Sequence, residues 1–308
     1  MLDPETFLTT LYVKVDDFDK AYWPPPLQPG PAASLSRSEV VTLALFGQWA
    51  QFPSERAFYR YAQRQLRGLF PRLPARTQLN RLLREHAPAL TEFSLELARE
   101  LQRPADAYQA LDATAIVVRD SRRRGTGWLA GQADIGYSPR LGWYEGFHLL
   151  VAVLPSGVIT GWGFGAASSK EQPLAETFLA ARAYPQPGLA SVGAPAQGPY
   201  LTDTGFEGAK RAAHWRTAYG ASVISPPKRS RKKNWPKPWR RYVASLRQLI
   251  ESVHEKLLNS FRLSRERPHA LAGLLARLAA KAAVHNFCIW LNQQLGRPKL
   301  AFADLIAW

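Results

Sequence analysis

The spacing of apolar residues divides the chain into two parts near residue 104. From residue 2 to about residue 103, apolar residues recur at helical intervals and glycine is rare. Ser36 stands three residues before Glu39 and an apolar run, which is typical of a helix start, and Ser54 opens a second helical segment. A third segment covers residues 77–101. The pattern predicts an all-α N-terminal region.

Beyond residue 104 the pattern changes to short runs rich in β-branched and aromatic residues. The first three runs are expected to form an antiparallel meander, with a turn at residues 155–157. Alternating strands and helices follow, and then two long helices. This order predicts an α/β domain in which a mixed sheet is flanked by helices. The predicted strands are 107–118, 144–154, 158–165, 200–203 and 222–225, and the predicted helices are 172–183, 208–219, 239–261 and 269–294.

The composition favours a polyanionic partner. The 308 residues include 40 Lys and Arg against 24 Asp and Glu, which gives a formal charge of +16 at pH 7. A folded protein does not need such an excess, because like charges oppose compaction. The 46% hydrophobic content, with 10 Trp, 14 Phe and 11 Tyr, excludes a disordered basic tail.

Cysteine content and hydropathy exclude other classes of protein. The single cysteine, Cys288, excludes an internal disulfide and a cysteine-rich zinc site, and it fits a reducing cytosol. The N-terminal residues lack the pattern of a secretory signal. The most apolar stretch, residues 270–291, carries Arg277, Lys281 and His285 at steps of four, so all three share one helical face. We expect an amphipathic helix of a soluble protein there, and no membrane span.

Two aspartates stand where a buried charge would need a compensating cation. Asp112 lies inside the first predicted strand, and Asp203 ends the predicted strand 200–203. An Asp at the end of a strand is also a common turn or helix-cap residue, so Asp203 taken alone has this second interpretation. Asp112 is the less ambiguous of the two, because it lies within its strand.

A third carboxylate is expected from the predicted helix 239–261. Its apolar stripe places Glu251 at the edge of the core and Glu255 toward solvent. Arg247 precedes Glu251 by four residues, and residues at this spacing are neighbours on a helix, so the two side chains can pair.

Three short motifs, in this order, resemble those of bacterial insertion-sequence transposases of the DDE class. They are Leu111-Asp112-Ala113-Thr114, Leu201-Thr202-Asp203-Thr204-Gly205-Phe206 and Arg247-x-x-x-Glu251. The resemblance implies an RNase H-like catalytic domain over residues 105–308, after a helical DNA-binding domain over residues 1–104. In the family, the third motif also has a Tyr three residues before the Arg and a Lys seven residues after the Glu. This chain has Ala244 in place of the Tyr and Leu258 in place of the Lys, so its third motif is divergent.

The resemblance implies that Asp112, Asp203 and Glu251 are the catalytic residues and the ligands of two Mg²⁺ ions, for which Mn²⁺ can substitute. Two such ions about 3.5–4 Å apart activate the attacking oxygen and stabilise the leaving oxygen of a phosphodiester displacement. Several anionic oxygens are needed to hold them. Asp112 would contact both ions, and the other two residues one each.

Two basic segments are candidate DNA contacts, although such segments are also found as solvated linkers or hairpin tips. Residues 119–124 follow the Asp112 strand, and residues 226–241 form a basic loop between Asp203 and Glu251. In these segments Lys and Arg can neutralise phosphates while Trp stacks on unpaired bases. The candidate residues are Arg122, Arg123, Arg124, Lys228, Arg229, Arg231, Lys232, Lys233, Trp235, Lys237, Trp239, Arg240 and Arg241, together with Arg247 of the third motif.

Two histidines lie near the candidate acids. His148 faces away from the apolar side of its predicted strand, and His254 lies one turn from Glu251. For each of them, a hydrogen-bonded structural role is the simpler interpretation. A role beside the substrate phosphate or the metal ions is the alternative.

These patterns favour a transposase that binds terminal inverted repeats, cleaves phosphodiester bonds and transfers the 3′-OH end to target DNA. The resemblance implies a homodimer in the DNA complex, in the bacterial cytoplasm and associated with the nucleoid when DNA is bound. A hydrolytic DNA nuclease or resolvase of the same fold, without strand transfer, is one alternative. A non-enzymatic DNA-binding protein is the other.

Overall fold

The computed structural model describes residues 1–24, 33–119, 129, 131–227 and 235–308. Its N-terminal region is helical, as the apolar spacing predicts. The side chain of Ser36 accepts a hydrogen bond from the amide of Glu39, whose carboxylate accepts one from the Ser36 amide, so both groups cap the second helix. The side chain of Ser54 caps the third helix by accepting a hydrogen bond from the Ala57 amide. The helices are α1 (Pro4–Tyr22), α2 (Arg37–Phe46), α3 (Glu55–Gln65), α4 (Arg76–Glu85) and α5 (Ala87–Leu101).

The predicted helical segment 77–101 consists of two helices that meet at His86. His86 ends α4, and Pro88 lies in the first turn of α5. A proline has no amide hydrogen to donate to the preceding turn, so it is tolerated at a helix start but not in a helix interior. The apolar spacing on either side of the break is similar, which is why periodicity alone predicted a single segment.

The sheet is mixed and is built around two long central strands. Strand β3 pairs antiparallel with β1 on one edge, while β2 and β4 pair with successive parts of its other edge. On the far side of β1, β5 and β6 run parallel to it, in the order β1-β5-β6. The strands are β1 (Gln109–Arg119), β2 (Asp134–Ser138), β3 (Gly142–Val153), β4 (Ile159–Ala166), β5 (Tyr200–Leu201) and β6 (Val223–Ile224).

Strand β2 was not among the predicted strands. It has five residues, of which only Gly136 is buried, so it lacks the alternating apolar pattern that identifies a half-buried strand. Its place in the sheet depends on pairing with β3, for example Gly136 with Tyr144.

Helices cover both faces of the sheet and create two apolar layers. The helices of the C-terminal part are α6 (Glu171–Ala183), α7 (Ala209–Tyr219), α8 (Lys237–Glu255) and α9 (Leu271–Gln294). One layer joins the sheet to α5, α8 and α9, and the other joins it to α6 and α7. This mixed sheet, flanked by helices and preceded by a helical region, is an RNase H-like α/β architecture, and the predicted fold class is confirmed.

Helix α8 differs in its ends from the predicted helix 239–261. It begins at Lys237, so the last part of the basic segment 226–241 is helical rather than a loop. After Glu255 the chain continues as a π-helical turn at Lys256–Ser260. The acid and arginine of the third motif lie within the regular part of the helix.

Helix α9 is long and apolar enough to cross a membrane, but 83% of its most apolar window is buried inside the protein. The three polar residues on its predicted common face have buried partners. Arg277 and Lys281 form ion pairs with Glu266 at 2.6 and 2.7 Å, and His285 Nε2 lies 2.9 Å from the carbonyl oxygen of Gly157. These contacts identify α9 as a core helix.

The N-terminal helices and the sheet share one apolar cluster. Phe7 of α1, Phe46 of α2 and Phe287 of α9 belong to it, as do residues of β1 and β3. Arg277 of α9 also pairs with Glu55 of α3 at 2.7 Å. The division into domains at residues 104 and 105 stays a prediction, and the contacts between the two parts are extensive.

Candidate active site

Strands β1 and β5 bring Asp112 and Asp203 together. The two strands are parallel, with Ala110 opposite Leu201. Continued for two residues, this register places Asp112 beside Asp203 on neighbouring segments, which lie about 5 Å apart in a sheet. Because β5 ends at Leu201, the edge of β1 beyond Ala110 is not covered by β5, and a cleft forms there.

Asp203 also shows the turn geometry that is common for an Asp at a strand end. Its Oδ1 accepts a hydrogen bond of 2.7 Å from the amide of Gly205, which caps the short 3₁₀ turn Thr204–Phe206. This contact fixes the side chain and leaves the second carboxylate oxygen for other partners. Asp203 can therefore cap the turn and also contribute a carboxylate oxygen to the candidate site.

Helix α8 contributes Arg247 and Glu251 to the same region. Arg247 Nη2 donates a hydrogen bond of 3.2 Å to Asp112 Oδ2, and the two side chains are only 16% and 18% exposed. The predicted pairing of Arg247 with Glu251 was wrong, since the guanidinium group is directed to β1. Glu251 is exposed rather than at the edge of the core, because its side of α8 forms a wall of the cleft.

The cleft has a volume of about 920 Å³ and contains a fourth acid, Glu171, that was not among the predicted residues. Glu171 is the first residue of α6 and is half-buried. The predicted helix 172–183 begins one residue later, and no pattern in the sequence groups Glu171 with the other acids. Its place depends on how α6 packs beside the turn Thr204–Phe206, and no spacing rule relates two such distant segments.

Burial and neighbouring charges shift the pKa values of two acids in the cleft. Burial raises the pKa of Asp112 from 3.8 to about 6, opposed by Arg247 and reinforced by the negative charges of Asp203 and Glu251. Burial also raises the pKa of Glu171 from 4.5 to about 7, and the charges of Asp203 and Asp112 add to this effect. The negative charges of these acids therefore oppose one another, and a bound cation would relieve this repulsion.

The two candidate histidines occupy different surroundings. His148 lines the cleft, with its Nδ1 at 3.1 Å from the carbonyl oxygen of Ser169, and burial lowers its pKa. His254 is buried, and burial followed by the positive charge of Arg247 lowers its pKa to about 4. His148 is thus placed beside the acids, whereas His254 is a neutral interior side chain. Whether either of them acts on a substrate stays a prediction.

The rim of the cleft carries polar and aromatic groups from the β2–β3 turn that the sequence did not indicate. Arg140 is exposed and donates from Nη2 to the carbonyl oxygen of Ala115 at 3.4 Å. Tyr137 also lines the cleft, and its ring packs edge-on against the exposed Trp143. Tyr137 and Arg140 reach the rim because β2 pairs with β3, and β2 was not predicted.

The acids offer donor atoms suited to divalent metal ions, although they are not gathered at one point. In the part of the chain that the structure describes, no three His, Cys, Asp or Glu side chains lie close enough together to hold one metal ion. The donor chemistry nevertheless fits, because carboxylate oxygens are the ligands that Mg²⁺ and Mn²⁺ prefer. A Cβ added to Gly205 would lie 2.7 Å from Glu171 Oε2 and 2.9 Å from Asp203 Oδ1, so two carboxylates border one small space beside bare backbone.

The candidate DNA-binding residues fall into two groups. Arg122, Arg123, Arg124, Lys228, Arg229, Arg231, Lys232 and Lys233 lie outside the described residues. Trp235 and Trp239 line an apolar cavity of about 440 Å³, and Trp239 is 58% exposed. Lys237, Arg240 and Arg241 lie in the first turns of α8.

One comparison with known proteins identifies the family of the chain. The chain matches the Transposase DDE domain family over residues 106–287, which is more than half of its length. No curated protein and no solved structure matches it. The chain therefore belongs to the transposase DDE domain family, and the resemblance found in the three motifs is confirmed. Enzymes of this family are transposases that generally use divalent metal ions.

Proposed function

We propose that the protein is a DDE transposase that binds the end of its own element, cleaves a phosphodiester bond there and joins the freed 3′-OH to target DNA. The observation that carries this proposal is that Asp112 and Glu251 line one cleft and that Asp203 lies beside Asp112 at the end of β5, in a chain of the transposase family. These residues are separated widely in sequence, and only the fold brings them together.

In this proposal Asp112, Asp203 and Glu251 hold two divalent metal ions, with Mg²⁺ as the expected ion and Mn²⁺ as a substitute. When bound, such ions activate the attacking oxygen and stabilise the leaving oxygen of an in-line displacement.

The protein's own groups hold the acids in place. Asp112 accepts hydrogen bonds at both oxygens, from the Ala113 amide at 2.9 Å and from Arg247 at 3.2 Å. The Gly205 amide fixes one oxygen of Asp203. Oriented carboxylates require little rearrangement when the substrate binds, which lowers the barrier to reaction.

Basic residues at the rim of the cleft and at the start of α8 are proposed to grip the DNA backbone. Arg140 lies at its rim, and Lys237, Arg240 and Arg241 begin the helix that carries Glu251. Trp235 and Trp239 offer aromatic surfaces suited to stacking on an unpaired base. The basic residues at 122–124 and 228–233 would extend this surface.

The partners of this activity are proposed to be terminal inverted repeats and target DNA. We expect a homodimer in the DNA complex, with one active site for each end. Such a complex would act in the bacterial cytoplasm, on the nucleoid.

A strand-transfer assay tests the proposed function. A labelled duplex taken from the DNA flanking the reading frame, ending in a free 3′-OH, is incubated with the protein, a target plasmid and Mg²⁺. We expect the label to become joined to the plasmid with wild-type protein and with Glu255→Gln, but not with Glu251→Gln. Glu255 is a matched control, because it is an exposed acid on the same helix.

Two other outcomes would contradict the proposal. When a second duplex that continues past the end into flanking DNA is supplied, cleavage at the end without any joining would indicate a hydrolytic nuclease or resolvase. Binding of the duplex with neither cleavage nor joining, in Mg²⁺ or Mn²⁺, would indicate a DNA-binding protein without enzymatic activity.

A further inference from the structure

We propose that Glu171 is a fourth metal-binding carboxylate of this active site, paired with Asp203 across Gly205. The inference rests on the proposed function, because it adds a residue to the same metal site. None of the three sequence motifs contains Glu171. Its assignment depends on the packing of α6 against the end of β5.

The contact between α6 and the turn after Asp203 is specific. Gln172 Nε2 donates a hydrogen bond of 2.5 Å to the carbonyl oxygen of Gly205. This bond connects the first turn of α6 to Gly205, which lies two residues after Asp203. Glu171 is the preceding residue, and its Oε2 reaches the same glycine. Gly205 therefore lies between the two carboxylates, and the absence of its side chain leaves a space that both of them border.

Neither of the two carboxylates forms an ion pair within the described part of the chain. Arg247, whose positive charge acts on Glu171, forms its ion pair with Asp112 instead. Glu171 and Asp203 have no described Lys, Arg or His side chain within ion-pair distance. Two carboxylates that approach each other at a half-buried position repel one another, and a divalent cation between them would convert this repulsion into attraction.

The position of Glu171 at a helix start suggests a simpler role, which does not account for its surroundings. An acid in the first turn of a helix is stabilised in its charged form by the helix dipole. A side chain directed to solvent would be enough for that effect, whereas Glu171 is half-buried and lines the cleft, with its Oε2 beside Gly205. The environment of Glu171 is set by the cleft rather than by its helix.

A metal-binding measurement tests the inference without relying on activity. Free Mn²⁺ is followed by electron paramagnetic resonance during titration of the full-length protein and of three variants: Asp112→Asn, Glu171→Gln and Glu176→Gln. Glu176 lies on the same helix α6 but pairs with His214 at 3.0 Å outside the cleft, so its variant is the matched control. We expect Mn²⁺ affinity to fall about tenfold or more in Asp112→Asn and Glu171→Gln, and to be unchanged in Glu176→Gln.

The outcomes separate this inference from the proposed function. If Asp112→Asn weakens Mn²⁺ binding while Glu171→Gln binds as the wild type does, Glu171 is not a ligand and the three-acid site stands. If the wild type binds no Mn²⁺, or Asp112→Asn binds as the wild type does, both the inference and the proposed metal site are overturned.

Thermal unfolding in EDTA distinguishes a ligand from a structural residue. Because Glu171→Gln removes a repelling charge, we expect the melting temperature of the metal-free variant to equal or exceed that of the wild type. Adding Mn²⁺ should then raise the melting temperature of the variant by less than it raises that of the wild type. A melting temperature lowered in EDTA, with an unchanged shift on adding Mn²⁺, would assign Glu171 a structural role and overturn the inference.

Discussion

Arg247 and Asp112 lie 135 residues apart in the chain and are joined by a hydrogen bond of 3.2 Å between Nη2 and Oδ2. The bond links the third motif to the first and connects α8 to β1 in front of the cleft. Arg247 opposes the effect of burial on the pKa of Asp112, so it keeps the carboxylate both charged and oriented. Arg247 is thus a positioning residue in this account, whereas the aspartate is proposed to act on the reaction.

Replacement of Arg247 by alanine is expected to lower the cleavage rate at saturating DNA by about 100-fold, because a misplaced catalytic group has an effect of this order. Arg241→Ala, on the exposed side of the same helix, should weaken DNA binding but leave the saturated rate unchanged. Single-turnover cleavage and DNA affinity measured in parallel check this prediction. Equal effects of the two variants on the saturated rate would argue against the positioning role.

Asp112 should make the metal-free protein less stable as pH rises. The pKa of Asp112 is about 6 in the folded protein, whereas the ordinary value of 3.8 applies to the unfolded chain. The folded state therefore binds the proton more tightly than the unfolded state does. The free energy of unfolding therefore falls between about pH 4 and pH 6, and above this range the charged carboxylate costs up to about 3 kcal/mol.

Asp112→Asn should remove this dependence. We expect the variant to be more stable than the wild type in EDTA at pH 8, and to differ little from it near pH 4. Urea unfolding at the two pH values provides the measurement. A variant that is less stable than the wild type at pH 8 would show that Asp112 has a structural role that outweighs its buried charge.

Gly205→Ala is expected to disable the site while leaving the fold intact. The added Cβ would lie closer than 3 Å to the carboxylate ends of Glu171 and Asp203, which can move away because they belong to flexible side chains. We predict a loss of cleavage of about 100-fold with a nearly unchanged melting temperature. Gly68→Ala is the control, since nothing lies within 4 Å of its added Cβ. Full cleavage by Gly205→Ala would mean that the two carboxylates need not meet at this position.

Arg182 is a buried arginine that supports the sheet behind the site. Its guanidinium donates to Gln109 of β1 at 2.8 Å, to the Tyr200 hydroxyl of β5 at 3.0 Å and to Thr160 of β4 at 3.0 Å. It therefore joins the strands that place Asp112 and Asp203.

Arg182→Ala should lower the free energy of unfolding by about 3 kcal/mol or more, because several buried polar groups lose their partner. Arg81→Ala, at an exposed pair with Glu85, should cost less than about 1 kcal/mol. Denaturant unfolding of both variants is the test. Similar values for the two would contradict the supporting role of Arg182.

The fold was predictable where local pattern and tertiary structure agree. The capping residues Ser36 and Ser54, the strand that carries Asp112 and the helix that carries Glu251 all follow from spacing and short-range signals. Strand β2 did not, because its five residues bury only a glycine and its pairing with β3 supplies the order.

The site was predictable only as far as its motifs extend. Asp112 and Asp203 could be grouped because each is associated with a strand. Two features of the site arise from packing between distant segments: the contact of Arg247 with Asp112, and the place of Glu171 beside Gly205. No periodicity in the sequence encodes which of two possible partners an arginine on a helix will reach.

Asp112, Asp203 and Glu251 are proposed to carry out metal-dependent cleavage of DNA together. The most direct measurement is single-turnover cleavage of a labelled inverted-repeat end in Mg²⁺, by the wild type and by Asp112→Asn, Asp203→Asn, Glu251→Gln and Glu255→Gln, all at saturating protein. We expect normal end binding by all five proteins, cleavage by the wild type and Glu255→Gln, and loss of cleavage in the other three. Cleavage at the wild-type rate by any one of those three variants would contradict this proposal.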